Sequence, residues 1–188
     1  MLFYLAPMEG ITGYIVRNAY AHYFPYIDKY FTPFIPAAKK MSKKIKRDLA
    51  AENNDQIRLV PQLIGNRADE FLMMIRQLEE LGFTSVNLNF GCPSGTVVSK
   101  RKGAGFLADP KELEMLLEEV LENSPLAVSV KTRVGIKDPD EWEALCGVYA
   151  KFPLEELIIH PRLQKDYYSG TPRMETFARA LELSLIHI

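Results

Sequence analysis

The sequence predicts an α/β protein built as a (β/α)8, or TIM, barrel, incomplete here with about six βα units, and three observations carry that prediction. Short β-rich runs alternate with amphipathic helical stretches along the chain. The runs are nearly continuous in apolar residues and each is followed by a helix, the pattern of parallel strands covered by helices. The unusual polar residues are placed alike: Met8, Gln62, Asn89, Cys92, Lys131, Arg133, His160 and Arg162 fall at or just past the C-terminal ends of different runs. In a barrel those ends converge on one mouth. An open doubly wound sheet, the alternative, would spread them along an edge around a single switch point, and no GxGxxG follows the first run to favour its dinucleotide-binding version.

The predicted strands are 2–8 (LFYLAPM), 29–34 (KYFTPF), 58–65 (RLVPQLIG), 85–91 (SVNLNFG), 126–134 (LAVSVKTRV) and 156–162 (ELIIHPR). After the first, APMEGIT (6–12) predicts a tight, backbone-exposing turn. A helix over 69–81 stops at Gly82, as a helix end prefers. Over 110–122, Asp109 is the cap, Pro110 suits the first helical position, Glu112 completes a capping box, and Leu113, Leu116, Leu117, Val120 and Leu121 form one stripe. Asp138, Pro139 and Glu141 open a helix over 138–152 that carries Trp142, Leu145, Cys146 and Tyr149, which places Cys146 in the core. The final SLIHI (184–188) has the character of a seventh strand with nothing after it to pack on; a shortened chain or foreign tail is expected, and His187 receives no role.

With 188 residues, 47% hydrophobic and 25% charged, the chain can bury a core as one soluble domain. A net charge of -1 leaves no global basic footprint, so a polyanion must be met by local patches. Two are available: KKMSKKIKR (39–47), which reads equally as a solvated helix face, and KRK (100–102), better placed in the loop after Cys92. Cys92 and Cys146 lie far apart with no CxxC pair and no nearby histidine, which argues against a zinc site and a disulfide and for a reducing, cytoplasmic setting. No basic n-region and no apolar run of about 20 residues is present, so neither export signal nor membrane anchor is expected.

Alternation puts Lys131 and Arg133 on one face of a buried strand, and two inward cations call for an anionic or electron-rich guest; a structural salt bridge is the other reading. Gln62 and Asn89 add amides suited to the edge of a flat heterocycle, although either alone is commonly a turn stabiliser. His160 and Arg162 share a strand face in the same way. The glycines of KGAGFLADP (102–110) allow backbone to approach a ligand. Cys92, between Gly91 and Pro93, is by position a metal ligand, a core filler or a reagent presented to substrate.

APMEGIT, VPQLIG, NLNFGCP, VKTRVG and IIHPR, in that order and at those intervals, resemble the tRNA-dihydrouridine synthases, flavin enzymes with an FMN-binding TIM barrel, over residues 3–180. The Asn87–Pro93 element and the Lys131-Thr132-Arg133 element are the most specific parts. The resemblance implies that Pro7, Met8, Gln62, Lys131 and His160 hold FMN, with the lysine cation near the N1/O2 edge of the ring. It implies that Asn89 and Arg133 hold the target uracil, with Arg162 and Lys165 nearby, and that Cys92 is the general acid. Hydride then goes to C6 of uracil and a proton from the thiol to C5, a thiol being largely protonated near neutral pH. The sequence after Gly91-Cys92-Pro93 is expected to let that loop close over the base. NADPH is the implied electron donor, tRNA the partner with its uridine flipped from the stack, and a monomer the implied state of the intact protein.

Full-length members carry two further barrel strands, whose loops bind the FMN phosphate, and a helical RNA-binding domain. Residues 1–188 are therefore expected to be a partial catalytic barrel with open sheet edges, and FMN retention and activity are expected of the intact protein. Two alternatives remain: a related FMN barrel acting on a free pyrimidine or an enone, and a non-catalytic RNA-binding barrel.

Overall fold

The computed structural model describes residues 1–182, in which six strand positions follow one another in chain order and two of them are split. β1 (Tyr4–Leu5) pairs with β2 (Lys29–Phe31), and β2 with β4 (Leu59–Val60). β3 (Ile35–Pro36) pairs with β5 (Gln62–Ile64), and the ladder continues through β6 (Ser85–Phe90), β7 (Ala127–Arg133) and β8 (Leu157–His160), every pair parallel. The predicted strand 58–65 is cut in two at Pro61, and the predicted strand 29–34 stops at Phe31 before Pro33 and resumes beyond its bounds as β3; neither proline brings an N–H to a ladder. Thr32 bridges the cut: its Oγ1 accepts from Gln62 N at 2.9 Å and its own N–H donates to the Val60 carbonyl. The predicted 2–8 strand shrinks to two residues because the turn begins at once: the N–H groups of Ile11 and Thr12 both donate to Met8 O, with Gly10 at φ +76°. The SLIHI segment and His187 lie outside the described residues.

Helices follow the strands: α1 (Tyr14–Tyr23), α2 (Lys43–Leu49), α3 (Ala68–Glu80), α4 (Gly95–Val98), α5 (Pro110–Asn123), α6 (Glu141–Tyr149) and α7 (Met174–Glu182). Asp109 caps α5 as expected, accepting from Lys111 N and Glu112 N, but the reciprocal half of the box is not made, because Glu112 pairs with Arg101 at 2.6 Å. α6 begins at Glu141 rather than 138: the Glu141 carboxylate takes the N–H groups of Ile136, Lys137 and Asp138 and holds that segment as a loop.

The expectation of strands apolar on both faces is corrected: they are buried on both faces, yet the two faces differ. Leu63, Val86, Leu88, Phe90, Val128, Val130 and Leu157 point to the helices and form one core with Phe71, Met74 and Leu78 of α3, Leu113 and Leu117 of α5, and Leu145, Cys146 and Tyr149 of α6. Cys146 is fully buried there, as predicted. The other face carries Gln62, Asn87, Asn89, Ser129, Lys131 and Arg133, one pleat out of phase.

Curvature separates barrel from open sheet. Five strand intervals of about 4.8 Å would set the first and sixth positions of a flat sheet about 24 Å apart. Instead Glu156, at the start of β8, accepts from Tyr4 Oη at 2.8 Å and from Lys29 Nζ at 2.5 Å, with Lys29 also over the Tyr4 ring. The wall has curled until its ends meet at the floor, and the inward face becomes a barrel interior.

Candidate active site at the barrel mouth

The C-terminal strand ends enclose a cavity of about 390 Å³. Gln62, Asn89, Lys131, Arg133 and His160 reach it from β5 to β8, Cys92 from the loop after β6, and Pro7 and Met8 from the first turn. Eight predicted residues are thus brought together, and two are not. Strand β8 stops at His160, before Pro161, so alternation no longer governs residue 162. Arg162 instead donates to the carbonyls of Ser169 and Gly170 and lies 3.1 Å from His160 Nε2. Lys165 is exposed on a 3-10 turn away from the cavity. Glu9, Phe34, Tyr167 and Tyr168 also line the cavity and were not foreseen.

Lys131 is the least compensated group. Burial and the neighbouring Arg133 guanidinium push its pKa down, and no carboxylate is among the charges acting on it. No salt bridge of the described residues involves Lys131 or Arg133, so the structural salt-bridge reading fails. Arg133 is tied to backbone: Nε donates to Gly91 O at 2.9 Å and Nη1 to Leu163 O at 2.8 Å, with the Tyr168 ring against its guanidinium. It therefore fixes the two loops that rim the cavity.

Asn89 has a different first duty from the one implied. Its Oδ1 accepts from Gly91 N and Cys92 N at 3.0 and 2.9 Å, so its acceptor end is committed to the Cys92 loop, and its Nδ2 donates to Gln62 Oε1. One N–H of each amide nitrogen, Asn89 Nδ2 and Gln62 Nε2, remains without a partner among the described residues. Burial raises the Cys92 thiol pKa, and Glu9 adds to this; an N–H bond from Ser94 and the two cations only partly oppose it. The thiol is held protonated at neutral pH. His160 is held neutral, its pKa pushed down to about 4 by burial and by Arg133, Lys131 and Arg162. Since a guanidinium only donates, His160 Nε2 accepts from Arg162 and the ring hydrogen sits on Nδ1.

The segment after Cys92 is packed in its second half, from Gly103 to Leu107, while α4 buries no residue. It folds into α4 and a 3-10 stretch over Gly103–Ala108. The glycines expected to approach a ligand approach protein instead: a Cβ at Gly103 would lie 2.8 Å from Cys92 O, and one at Gly105 2.7 Å from Val98 O. The two basic runs differ in their pairing. Arg101 of KRK is paired with Glu112, whereas Lys39, Lys40, Lys43, Lys44, Lys46 and Arg47 are exposed and, among the described residues, meet no carboxylate. Lys44 and Arg47 edge an apolar groove of about 570 Å³, lined by Ile11, Ile15 and Phe34, which shares Glu9 with the mouth cavity.

Among solved structures the fold is similar to a variant of NCR from Zymomonas mobilis, with a TM-score of 0.54 at 12% identity over 98% of this chain and 79% of that one. A GH18 chitinase from Pseudoalteromonas aurantia matches with a TM-score of 0.50 at 8% identity, covering 86% of this chain and 69% of that one. These likenesses concern the barrel fold alone. In sequence, a protein of Bacillus subtilis named probable tRNA-dihydrouridine synthase 2 is 30% identical over 167 residues, 87% of this chain and 51% of its own. One of Staphylococcus epidermidis named probable tRNA-dihydrouridine synthase is 29% identical over the same shares. The chain spans about half the length of the curated relatives it matches. The family model described as dihydrouridine synthase matches residues 4–180, nearly the whole of the described structure, and the chain belongs to that family.

Proposed function

We propose that this chain carries the catalytic residues for reduction of uridine in tRNA to 5,6-dihydrouridine with FMN as cofactor and NADPH as electron donor. The observation that carries the reading is one wall holding an uncompensated ammonium, Lys131, beside the unused amide N–H groups of Gln62 and Asn89, with a protonated thiol, Cys92, in the same cavity. That wall fits the acceptor-rich edge of a flavin: Lys131, Gln62 and His160 would hold it, with Pro7 and Met8 against the ring. Bound FMN supplies the hydride that reaches C6 of the uracil.

The rest of the chemistry belongs to side chains of this chain. The Cys92 Sγ–H bond breaks and its proton goes to C5, which completes the saturated 5,6 bond and leaves a thiolate to regain a proton from water. Asn89 sets the position of that thiol through the N–H groups of Gly91 and Cys92, and Arg133 anchors the same loop through Gly91 O. The remaining guanidinium edge of Arg133 is a donor for a uracil carbonyl. A uridine within folded RNA reaches this mouth only as a flipped base. Lys44 and Arg47 edge the groove that shares Glu9 with the mouth, and with the other exposed cations of 39–47, which meet no carboxylate among the described residues, they support phosphate contact there.

FMN addition to the intact protein, followed by flavin fluorescence, tests the cofactor; saturable quenching is expected, and its absence would overturn it. Cys92→Ala, assayed on unmodified tRNA, should slow dihydrouridine formation by about 10²-fold or more with FMN binding unchanged. A wild-type rate would remove Cys92 from its role.

A further inference from the structure

We propose that Asn87 and Ser129, neither of which lines the cavity, are positioning residues that hold from below the Gln62 and Asn89 amide orientations that the Gly91 and Cys92 N–H groups set from the mouth. Strand register sets Gln62, Asn87 and Ser129 side by side in one interior layer, one pleat below Asn89 and Lys131. All are buried, and they form a single chain of hydrogen bonds.

An amide's oxygen and nitrogen are nearly identical in shape, so its partners decide its orientation. Here both ends of the chain are pinned by backbone. At the mouth, the N–H groups of Gly91 and Cys92 can only donate, so Asn89 turns Oδ1 to them and Nδ2 to Gln62 Oε1 at 2.7 Å. Gln62 then has Nε2 left for Asn87 Oδ1 at 2.8 Å, and Asn87 has Nδ2 left for Ser129 Oγ at 2.9 Å. At the far end the Val86 carbonyl can only accept, and it takes the Ser129 hydroxyl at 3.2 Å. Each bond follows from the one before it.

The second N–H of Gln62 and that of Asn89 are therefore both directed to the guest, next to Lys131. This wall offers donors only and selects a ligand edge of acceptors or negative charge. A reversed Gln62 would place an oxygen there and repel the same edge. That the edge belongs to FMN rests on the proposed function; the relay itself does not.

Ser129→Ala takes the acceptor from Asn87 Nδ2 and removes the lower anchor, which leaves the Gln62 and Asn89 orientations held by the Gly91 and Cys92 N–H groups alone. FMN affinity, read from fluorescence quenching, should fall about tenfold, and Ser129→Thr, which keeps the hydroxyl, should restore it. In the FMN-free protein, the side-chain NH2 resonances of Gln62 and Asn89 should shift in Ser129→Ala, although Ser129 touches neither. Should Ser129→Ala fail to fold, Ser129→Cys fills the same space with a poor acceptor and carries the same expectations. Unchanged affinity, or resonance shifts confined to Asn87, would overturn the relay. If the wild-type intact protein does not quench FMN fluorescence, the flavin reading fails instead, and the amide resonances alone decide the relay.

Discussion

The two walls of this barrel are held together by different physics. Strands β5 to β8 pack on α3, α5 and α6 through a continuous apolar core in which Phe71, Leu88, Leu117 and Leu145 are fully buried. On the β1 and β2 side, α1 buries a single residue, and it is an arginine: Arg17 donates to Thr12 O, to the carboxylate and carbonyl of Asp48, and to Asn54 Oδ1. Ile15 and Tyr23 of the same helix stand exposed, at 69% and 73%. The proposed chemistry divides along the same line. Cys92, Lys131, Arg133 and His160 stand on the apolar-packed wall, and the first wall brings the backbone turn at Pro7 and Met8. Groups that must hold position to a fraction of an ångström are carried where side chains interlock.

The comparison breaks most visibly at Phe71. Its ring meets Phe90, two residues before Cys92, and lies against Gly65. Phe71→Ala should lower stability by about 3–5 kcal/mol, read from the urea midpoint, and should weaken FMN binding through the shifted Cys92 loop. Arg17→Met tests the other wall. It takes the Arg17 donors from Asp48 Oδ2 and Asn54 Oδ1, while Tyr14 N–H still donates to Asp48 Oδ1, and because Asp48 is partly exposed, water replaces some of the loss; about 1–3 kcal/mol is expected. FMN affinity should stay within about twofold, since one lost hydrogen bond near the ligand would already cost about tenfold. A large fall in affinity would show that the first wall governs the cavity as well.

A pH titration sharpens the contrast because His160 lies on the packed wall. Its folded pKa of about 4 is below the 6.5 of the free side chain. Between those values the unfolded chain binds the extra proton, so the contribution is complete above pH 6.5, declines as pH falls and levels off near 4. His160→Gln should flatten the stability curve across that window, and a curve of unchanged slope would place its cause elsewhere.

What sequence made legible was local. Asp109-Pro110 and Gly82 mark helix ends by their own chemistry, and alternation gave the inward face from Gln62 to His160. Arg162 reaches His160 rather than the cavity lining, because Pro161 ends the alternation along the strand. The Lys29–Glu156 pair, which shows the curl of the sheet, joins residues 127 apart, and nothing near either one signals it. Tyr167 and Tyr168 enter from a loop whose backbone turns at φ +50° on a non-glycine residue, which no propensity favours. Asn87 and Ser129 were within reach, since each stands one alternation before a residue already chosen, Asn89 and Lys131.

The smallest effect on folding is expected at α2, tied to the first wall through Asp48 and Arg17, where it should be the largest on RNA. Lys43, Lys44 and Lys46 are exposed and meet no carboxylate among the described residues, so reversing all three to glutamate removes no ion pair. Each change should alter stability by no more than about 0.5 kcal/mol. If phosphates lie against this patch, the triple variant should bind tRNA more weakly, and the slope of log affinity against log salt should fall by about 0.9 for each phosphate that is no longer neutralised. Free FMN should bind as before, because none of the three lines the mouth cavity. Unchanged tRNA affinity and salt slope would assign phosphate binding to another surface and leave the first wall with only its turn at Met8 in the function.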